Sequence, residues 1–496
     1  MRRLTPTPLL LLLLLLSACN GETPTTAPTG DAAPLEGARL SARLSLDLAG
    51  TRPSPDALDT EPDVLTAALL DDPRFAAQMR WLWNDSLHTA VWASQYERFG
   101  TLSFAEWQAI GAEPLDLIEA VIEADRPFSD IVTAQALPMS ETLTALWGLE
   151  PGSTGYDDGR PMAGVLTSNT LWLRYTADEV NFNRTRANTV ARVFLCSDFL
   201  DREGGFRFDV DPTALTEIEA AVSSEPACLG CHAALDPLAR FFGGFAERSD
   251  NHPLPQYVHY SAYQNQQAAA ELGPPAYYGQ PAADLADLGT LIAADPRFWR
   301  CATSRFYEGL VRTPPTPKQL DRLTPMLRDR GSVKDLVTAI VETDAYRSDE
   351  WRLLHSEQLY TSLMDALDWD PGSSLDEGLR GLAWDPELRV MSGGTDDNTV
   401  TLRNSRPSVG LITAQTWAGR RAGGALENDT FFNLTNPDSG DEADIRAQLA
   451  EWHVRLLSAP VAEDSPTVDA LLSLQQDHGW EVALEALIRH PRAVMH

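Results

Sequence analysis

The spacing of apolar residues constrains the fold of this chain more than any other feature of its sequence. Leucine, isoleucine, valine and aromatic residues recur three and four positions apart over much of the length, which is the spacing of one face of an α-helix. Alternation of the kind found in strands is confined to short pieces such as 389–391 and 399–402. We therefore predict a mainly α, multi-helical protein with minor β structure. The segments with the clearest helical spacing are 64–82, 115–122, 285–310, 318–327, 333–341, 359–367, 445–457 and 468–488.

The first nineteen residues predict the destination of the protein. Arg2 and Arg3 precede an unbroken apolar run at 9–16, and small residues lead to Cys19. This arrangement is typical of an export signal, and the run is too short to span a bilayer. The segment resembles a bacterial lipoprotein signal, in which the cysteine at the position of Cys19 is acylated and becomes the mature N-terminus. The alternative is an ordinary secretion signal in which this cysteine has no role.

Composition separates the partners that we expect from those that we exclude. The chain has 496 residues, with 39 Lys and Arg against 71 Asp and Glu, and a formal net charge of −32. A nucleic-acid partner is not expected, because binding to phosphate requires a basic surface. Contact with a membrane is expected through the lipid on Cys19, because acyl chains insert into the bilayer. The predicted location is the periplasm or the cell surface. The resemblance to lipoproteins implies the outer membrane, because Asn20 after Cys19 is compatible with outer-membrane sorting in that group.

Runs rich in proline, glycine and acidic residues predict where the chain divides. A segment that contains two cysteines and a histidine in close succession lies between regions of strong helical spacing. The cysteines and the histidine, Cys228, Cys231 and His232, have the spacing of c-type haem attachment. We therefore predict a cytochrome-c-like cofactor segment embedded between helical domains. The predicted units are a signal peptide at 1–18, a tether at 19–37, a helical domain at 38–150, the cofactor segment at 151–248, a helical domain at 249–350 and a mainly helical domain at 351–496.

The most specific motif in the chain is Cys228-Leu229-Gly230-Cys231-His232. Two cysteines three positions apart, followed directly by histidine, form the pattern of c-type haem attachment. On a helical turn both thiols lie on one face, so they can bond to the two vinyl groups of one haem. The motif predicts one covalent haem c attached to Cys228 and Cys231, with His232 as the proximal ligand of the iron.

Three other uses of this motif remain open at the level of sequence. A thioredoxin-like redox pair requires a β-α-β setting, which the pattern of the chain does not show. A zinc site requires a second pair of ligands in a similar cluster. A plain disulfide between Cys228 and Cys231 is the third alternative.

Two cysteines, Cys196 and Cys301, remain after Cys19 and the motif are assigned. In an exported protein a cysteine is usually lipidated, bridged or bound to a cofactor. We therefore predict a disulfide between Cys196 and Cys301. The alternative is two buried thiols.

Beyond the motif, several short runs of residues follow one another in a fixed order. They are Leu-Ser-Leu-Asp-Leu-Ala-Gly-Thr-Arg-Pro-Ser-Pro at 44–55, Ala-Asp-Arg-Pro-Phe-Ser-Asp at 124–130, Asn-Arg-Thr-Arg-Ala-Asn at 183–188, Pro-Ala-Cys-Leu-Gly-Cys-His-Ala-Ala-Leu-Asp-Pro at 226–237 and Phe-Trp-Arg-Cys at 298–301. In this order they resemble the planctomycete-type cytochrome-associated families, which are uncharacterised domains of large exported bacterial proteins. The match spans about 40–350, and 351–496 resembles no family that we can name.

The resemblance implies an exported protein associated with haem c, and it names no substrate. It supports Cys228, Cys231 and His232 as the attachment positions. It also places Cys196 and Cys301 at recurring positions of the family, which favours the disulfide. One departure concerns the iron: Leu235 stands where the family commonly has methionine, so that position supplies no ligand here.

Electron transfer is the function that the sequence favours. A lipid-tethered cytochrome would exchange single electrons with a redox partner protein or with a small electron donor or acceptor. The second axial ligand is one of the features by which a protein sets the potential of its haem. The candidates for this sixth ligand near the motif are Met162, His252 and His259.

Two further functions are alternatives. A haem enzyme, peroxidase-like or oxidising an organic substrate, would need an open iron position and a distal acid or base such as His88, His259 or an arginine. A cell-surface scaffold or binding protein would carry a structural haem or none. Hydrolase and nucleotide chemistry are not expected, because the sequence has no nucleophile elbow, zinc-protease motif or P-loop.

Overall fold

The structure is a computed structural model, and it describes residues 35–98, 101–177, 181–201, 224–248, 257–369, 374–426, 432–435 and 437–496. These residues are 63% helix and 3% strand, so the prediction of a mainly α fold with minor β structure is confirmed. Cys19, the predicted signal peptide and all but the last residues of the predicted tether lie outside the described residues. None of the helices among the described residues combines the length and the apolar character that crossing a membrane requires.

The helices and strands follow one another in an order dominated by helix. The helices are α1 (Gly37–Ala49), α2 (Pro62–Leu70), α3 (Arg74–Leu87), α4 (Gln95–Arg98), α5 (Phe104–Glu123), α6 (Asp130–Thr133), α7 (Glu141–Leu146), α8 (Asn169–Arg174), α9 (Arg184–Leu195), α10 (Pro226–Ala239), α11 (Ala262–Leu272), α12 (Leu285–Ala294), α13 (Pro296–Val311), α14 (Pro317–Arg330), α15 (Val333–Val341), α16 (Ser356–Ala366), α17 (Ser374–Leu379), α18 (Gly381–Trp384), α19 (Pro386–Met391), α20 (Val409–Gly423), α21 (Glu442–Leu457), α22 (Pro466–His478) and α23 (Trp480–Ile488). The strands β1 (Phe245–Arg248) and β2 (Tyr257–Tyr260) form one antiparallel pair, and β3 (Ala276–Tyr277) and β4 (Gln280–Pro281) form another.

Local capping sets the ends of several helices. The hydroxyl of Ser103 accepts a hydrogen bond from the backbone N–H of Glu106, and the carboxylate of Glu106 accepts one from the backbone N–H of Ser103. This reciprocal pair satisfies two N–H groups that an isolated helix end leaves unpaired. The predicted helical stretch at 285–310 is divided into α12 and α13, because Asp295 ends the first helix and caps the second.

The predicted strand pieces at 389–391 and 399–402 are wrong. Residues 389–391 are the end of α19, and 399–402 contain no strand. Helix α19 begins because the side chain of Asp385 accepts a hydrogen bond from the N–H of Leu388, and Pro386 occupies the first helical position. This cap decides the structure of a segment whose own alternation is too short to specify a strand.

Buried apolar side chains form two clusters. The first contains residues from 35 to 346 and therefore includes side chains from all three segments predicted between 38 and 350. The second contains Leu46 and residues from 354 to 494. Helix α1 contributes to both, because Leu44 and Leu48 lie in the first cluster and Leu46 lies in the second. Every residue of α1 from Leu40 to Ala49 is buried.

Charged groups of α1 hold the two clusters together. The carboxylate of Asp47 is fully buried and accepts a hydrogen bond of 3.1 Å from Nε2 of His496. It also lies 3.3 Å from Nη2 of Arg312.

Arg43 donates to the backbone carbonyls of Tyr346 and Ser348 at 2.8 and 2.7 Å. Hydrogen bonds to these carbonyls spread the positive charge of Arg43 over several acceptors, which offsets the loss of water around it.

A second buried ion pair joins the clusters at Glu357, which is 1% exposed. Arg403 donates to Oε2 of Glu357 at 3.0 Å and to the carboxylate of Asp85 in α3 at 2.6 Å. The guanidinium of Arg389 lies 3.5 Å from the same Oε2. Burial alone would raise the pKa of Glu357, but Arg403 and Arg389 lower this pKa from 4.5 to about 2. Glu357 is therefore charged at neutral pH.

Replacing Glu357 with glutamine is expected to destabilise the protein by about 3 kcal/mol, because it leaves two buried guanidinium groups short of a countercharge. Urea unfolding at pH 7 measures the change. The native pKa of Glu357 lies below its ordinary value, so the stabilisation is complete above about pH 4.5 and is lost as the pH falls from about 4.5 towards 2. The difference between wild type and Glu357→Gln should shrink over that range.

Glu442→Gln is the matched control. Glu442 pairs with Arg446 at 2.8 Å on one face of α21, but its side chain is 59% exposed. An exposed pair contributes less than about 1 kcal/mol, so this variant should unfold at nearly the same urea concentration as wild type. Equal stability of the two variants would contradict the role assigned to Glu357.

Candidate cofactor site

The Cys-x-x-Cys-His motif lies in the first two turns of α10. Pro226 occupies the first helical position, where its missing N–H is not needed and its fixed φ angle suits the helix. At about 100° per residue, Cys228, Cys231 and His232 fall within about 100° of arc around the helix axis. The structure therefore places the three side chains of the motif on one face of one helix.

Both cysteines of the motif are free thiols, and both are buried. Cys228 is 7% exposed and Cys231 is 5% exposed. The structure does not join them in the plain disulfide that was one alternative for the motif. Two sulfur atoms one turn apart therefore lie on this face with no bond between them.

The face that carries the cysteines continues into the first core cluster. Leu235 and Leu238 follow them on α10 and are 8% and 0% exposed. Helix α10 packs against α9 and against strand β3. The surface side of the first turn is open, because Leu229 is 41% exposed. Packing on the inner side holds the motif helix in a fixed orientation, while its first turn remains at the surface.

The imidazole of His232 is oriented by a carboxylate one turn further along the helix. Nδ1 of His232 lies 2.9 Å from Oδ1 of Asp236, and the His232 side chain is 21% exposed. A carboxylate only accepts hydrogen bonds, so Nδ1 carries the proton and donates it. In the neutral imidazole, a proton on Nδ1 places the lone pair on Nε2, which is the form of histidine that binds a metal.

Asp236 is itself fixed by an arginine from the neighbouring helix. Nε of Arg184 donates to Oδ1 at 2.7 Å, and Nη2 donates to Oδ2 at 3.1 Å. Burial alone would raise the pKa of Asp236, but the hydrogen bonds from His232 and Arg184 lower it to about 2. The carboxylate is therefore ionised at neutral pH and accepts from both neighbours.

Asp236 and Arg184 were not among the candidates that the sequence analysis selected. Asp236 had a local signal, since it stands four positions after His232 and residues at that spacing share a helix face. Arg184 had no such signal, because it is 52 positions away from Asp236. Only the packing of α9 against α10 brings this guanidinium to the carboxylate.

The sequence named four residues as a sixth iron ligand or as a distal acid or base, and they lie in different settings. Met162 is partly buried against the first core cluster. Nδ1 of His259 lies 3.1 Å from the carbonyl oxygen of Ala246, the residue that pairs with His259 across β1 and β2. His88 is buried, with Nδ1 3.8 Å from Oδ1 of Asp397. His252 lies outside the described residues.

The predicted disulfide between Cys196 and Cys301 is present in the structure, with an S–S distance of 2.10 Å and a Cα–Cα distance of 5.3 Å. It connects the residue after α9 to the first half of α13. Cys301 is 2% exposed, whereas Cys196 lies at the surface. The bond therefore ties the helix that supplies Arg184 to the first core cluster.

The residues of α10 fit a covalent haem. Two free thiols one turn apart and an imidazole with a free Nε2 are the groups that haem c requires, and they share one face. Over the described ranges, no group of three or more His, Cys, Asp or Glu side chains is placed so as to hold a metal ion by itself. Residues 202–223 and 249–256, which flank this segment in the sequence, lie outside the described residues.

Comparison with known proteins gives no further evidence about this site. No family model matches the sequence, and no curated protein or solved structure gives a match. The resemblance to the planctomycete-type cytochrome-associated families therefore depends on the sequence runs quoted above.

Proposed function

We propose that this chain is an exported c-type cytochrome that carries one covalent haem and transfers single electrons. The observation that supports the proposal best is that α10 has two free thiols and an imidazole on one face. Nδ1 of this imidazole is bonded to Asp236, which leaves Nε2 to bind a metal. Cys228 and Cys231 would hold the haem through thioether bonds, and Nε2 of His232 would bind the iron. When bound, the haem supplies a reversible one-electron couple between ferrous and ferric iron.

The rest of the site suits this role. Leu235 and Leu238 extend the buried face of α10, and a low-polarity wall is one of the features that set a haem's potential. The open first turn lies where a redox partner protein or a small electron donor or acceptor could approach. The formal net charge of −32 would favour a partner with a basic contact surface.

The proposal also places the protein outside the cytoplasm, attached to the outer membrane by a lipid on Cys19. The support for export is the signal-like sequence and the disulfide Cys196–Cys301, because disulfides persist in oxidising compartments. Lipid analysis of the mature N-terminal peptide tests the anchor. Wild-type protein should yield a peptide that begins with acylated Cys19, and a peptide without acyl groups would contradict the anchor.

The test of the proposed function uses the full chain, expressed in a bacterium with cytochrome c maturation machinery. A pyridine haemochrome spectrum should show one haem per chain that stays attached after denaturation. The intact mass should exceed that of the apoprotein by one haem. A colourless protein with the mass of the apoprotein would overturn the proposal.

A haem enzyme is the second candidate, and the hydrogen bond between His232 and Asp236 is the observation that favours it. A proximal histidine that donates to a carboxylate is a stronger electron donor to iron, which helps iron reach higher oxidation states. A high-spin spectrum with peroxide-dependent oxidation of a reducing dye, lost in His232→Ala, would support this function. A low-spin, six-coordinate spectrum with a reversible couple and no turnover would support electron transfer.

A further inference from the structure

One carboxylate oxygen of Asp236 accepts hydrogen bonds from two side chains, which belong to two different helices. Oδ1 is 2.9 Å from Nδ1 of His232 and 2.7 Å from Nε of Arg184. Oδ2 takes a further hydrogen bond of 3.1 Å from Nη2 of Arg184. His232 and Asp236 are on α10, whereas Arg184 is the first residue of α9. The three side chains form a chain of hydrogen bonds that ends at the predicted iron ligand.

This arrangement restricts the carboxylate to one orientation. The guanidinium group of Arg184 donates to both carboxylate oxygens of Asp236. Such paired hydrogen bonds fix the orientation of the carboxylate as well as its distance from the guanidinium. The Cζ atom of Arg184 also lies 5.5 Å from the centre of the Phe182 ring. Because the disulfide Cys196–Cys301 ties the far end of α9 to α13, both ends of α9 are anchored. Asp236 is therefore held in position whether or not His232 binds a metal.

We propose that Asp236 is a positioning residue that sets the reduction potential of the iron through His232. By accepting the Nδ1 proton it selects the tautomer and aims Nε2 away from α10, so the ligand is oriented before any cofactor arrives. The same hydrogen bond increases electron donation from the imidazole, which stabilises ferric iron over ferrous iron and lowers the potential. This inference rests on the proposed function, because it concerns a haem bound to His232.

Arg184 acts against this effect. Its guanidinium shares the carboxylate with His232, so it weakens the carboxylate as an acceptor for the Nδ1 proton. Loss of Arg184 should therefore strengthen the hydrogen bond from His232 and lower the potential further. Loss of the charge on Asp236 should have the opposite effect. The two residues of one ion pair are thus expected to shift the potential in opposite directions.

The test compares holoproteins that carry Asp236→Asn and Arg184→Gln with wild type. Haemochrome spectra should show one covalent haem in each, because all three motif residues are unchanged. The midpoint potential should shift upward in Asp236→Asn and downward in Arg184→Gln. Proton NMR of the reduced proteins should show the Nδ1–H resonance of His232 shifted in opposite directions in the two variants, which loss of charge alone would not cause.

Asp198→Asn is the matched control for loss of one negative charge. Asp198 accepts a hydrogen bond of 2.9 Å from Asn188 in the same part of the fold, and no hydrogen bond or ion pair between it and His232 is present. This variant should leave the Nδ1–H resonance of His232 where wild type has it. A shift of the same size as in Asp236→Asn would overturn the proposal, because it would trace the effect to general charge.

The outcomes separate this inference from the proposed function. Wild-type protein without covalent haem would overturn both. Wild-type and variant proteins with haem but with the same potential and the same Nδ1–H resonance would overturn the role of Asp236 alone. If Asp236→Asn does not accumulate as folded protein, Arg184→Gln decides the matter, and an unchanged potential in that variant would overturn the role of Asp236.

Discussion

Replacing both Cys228 and Cys231 with alanine is expected to abolish covalent haem completely. Each thioether bond needs a thiol sulfur, and these are the two free thiols among the described residues. His232 would remain, but one axial bond does not keep haem on a denatured chain. After expression with cytochrome c maturation machinery, the denatured variant should give no haemochrome band and should have the intact mass of the apoprotein.

Cys196→Ser with Cys301→Ser is the matched control, because it also removes two cysteines. These two form the disulfide and take no part in the motif, so haem attachment should be retained. A haemochrome band in the Cys228→Ala and Cys231→Ala variant after denaturation would contradict the assignment of the attachment residues. A folded, partner-binding wild-type protein without haem would instead support the scaffold alternative.

Loss of the disulfide is expected to have the largest effect on stability. The bond closes a loop between residues 105 positions apart, and in the chain-entropy account a loop of about 100 residues stabilises the native state by about 4 to 5 kcal/mol. The Cys196→Ser and Cys301→Ser variant should therefore unfold at a markedly lower urea concentration than wild type. Equilibrium unfolding followed by tryptophan fluorescence measures the difference.

Reduction of wild-type protein supplies the control for this prediction. Cys196 lies at the surface, so a thiol reagent can reach the bond without prior unfolding. Reduced wild type and the double serine variant should unfold at the same urea concentration. A double serine variant as stable as oxidised wild type would show that the bond does not stabilise the native state by restricting the unfolded chain.

The sequence was a good guide to the fold wherever the information was local. The helical spacing at 115–122 lies within α5, and the capping pair of Ser103 and Glu106 begins that helix in a manner that local sequence specifies. Local spacing failed at 389–391, where the cap at Asp385 produces a helix. Short alternation is a weak signal for a strand, because a single cap changes the outcome.

The same difference between local and long-range information applies to the candidate site. Five consecutive residues define the motif, so Cys228, Cys231 and His232 could be selected from sequence, and Asp236 was within reach as the residue one helical turn later. The contact of Arg184 with Asp236 could not be selected, because it depends on how two helices pack. Likewise, nothing local indicates that Leu46 lies in a different core cluster from Leu44 and Leu48. Such assignments need the tertiary fold.

The position of α1 between the two clusters has a consequence for biogenesis. Asp47 is in the first helix that the structure describes, yet its partner His496 is 449 positions later. If the chain crosses a membrane from its N-terminus, α1 spends the whole of translocation without the groups that surround it in the native state. Contacts between residues so far apart in the sequence form late and slowly. In that case we expect the translocating chain to depend on holdase chaperones until α23 has crossed.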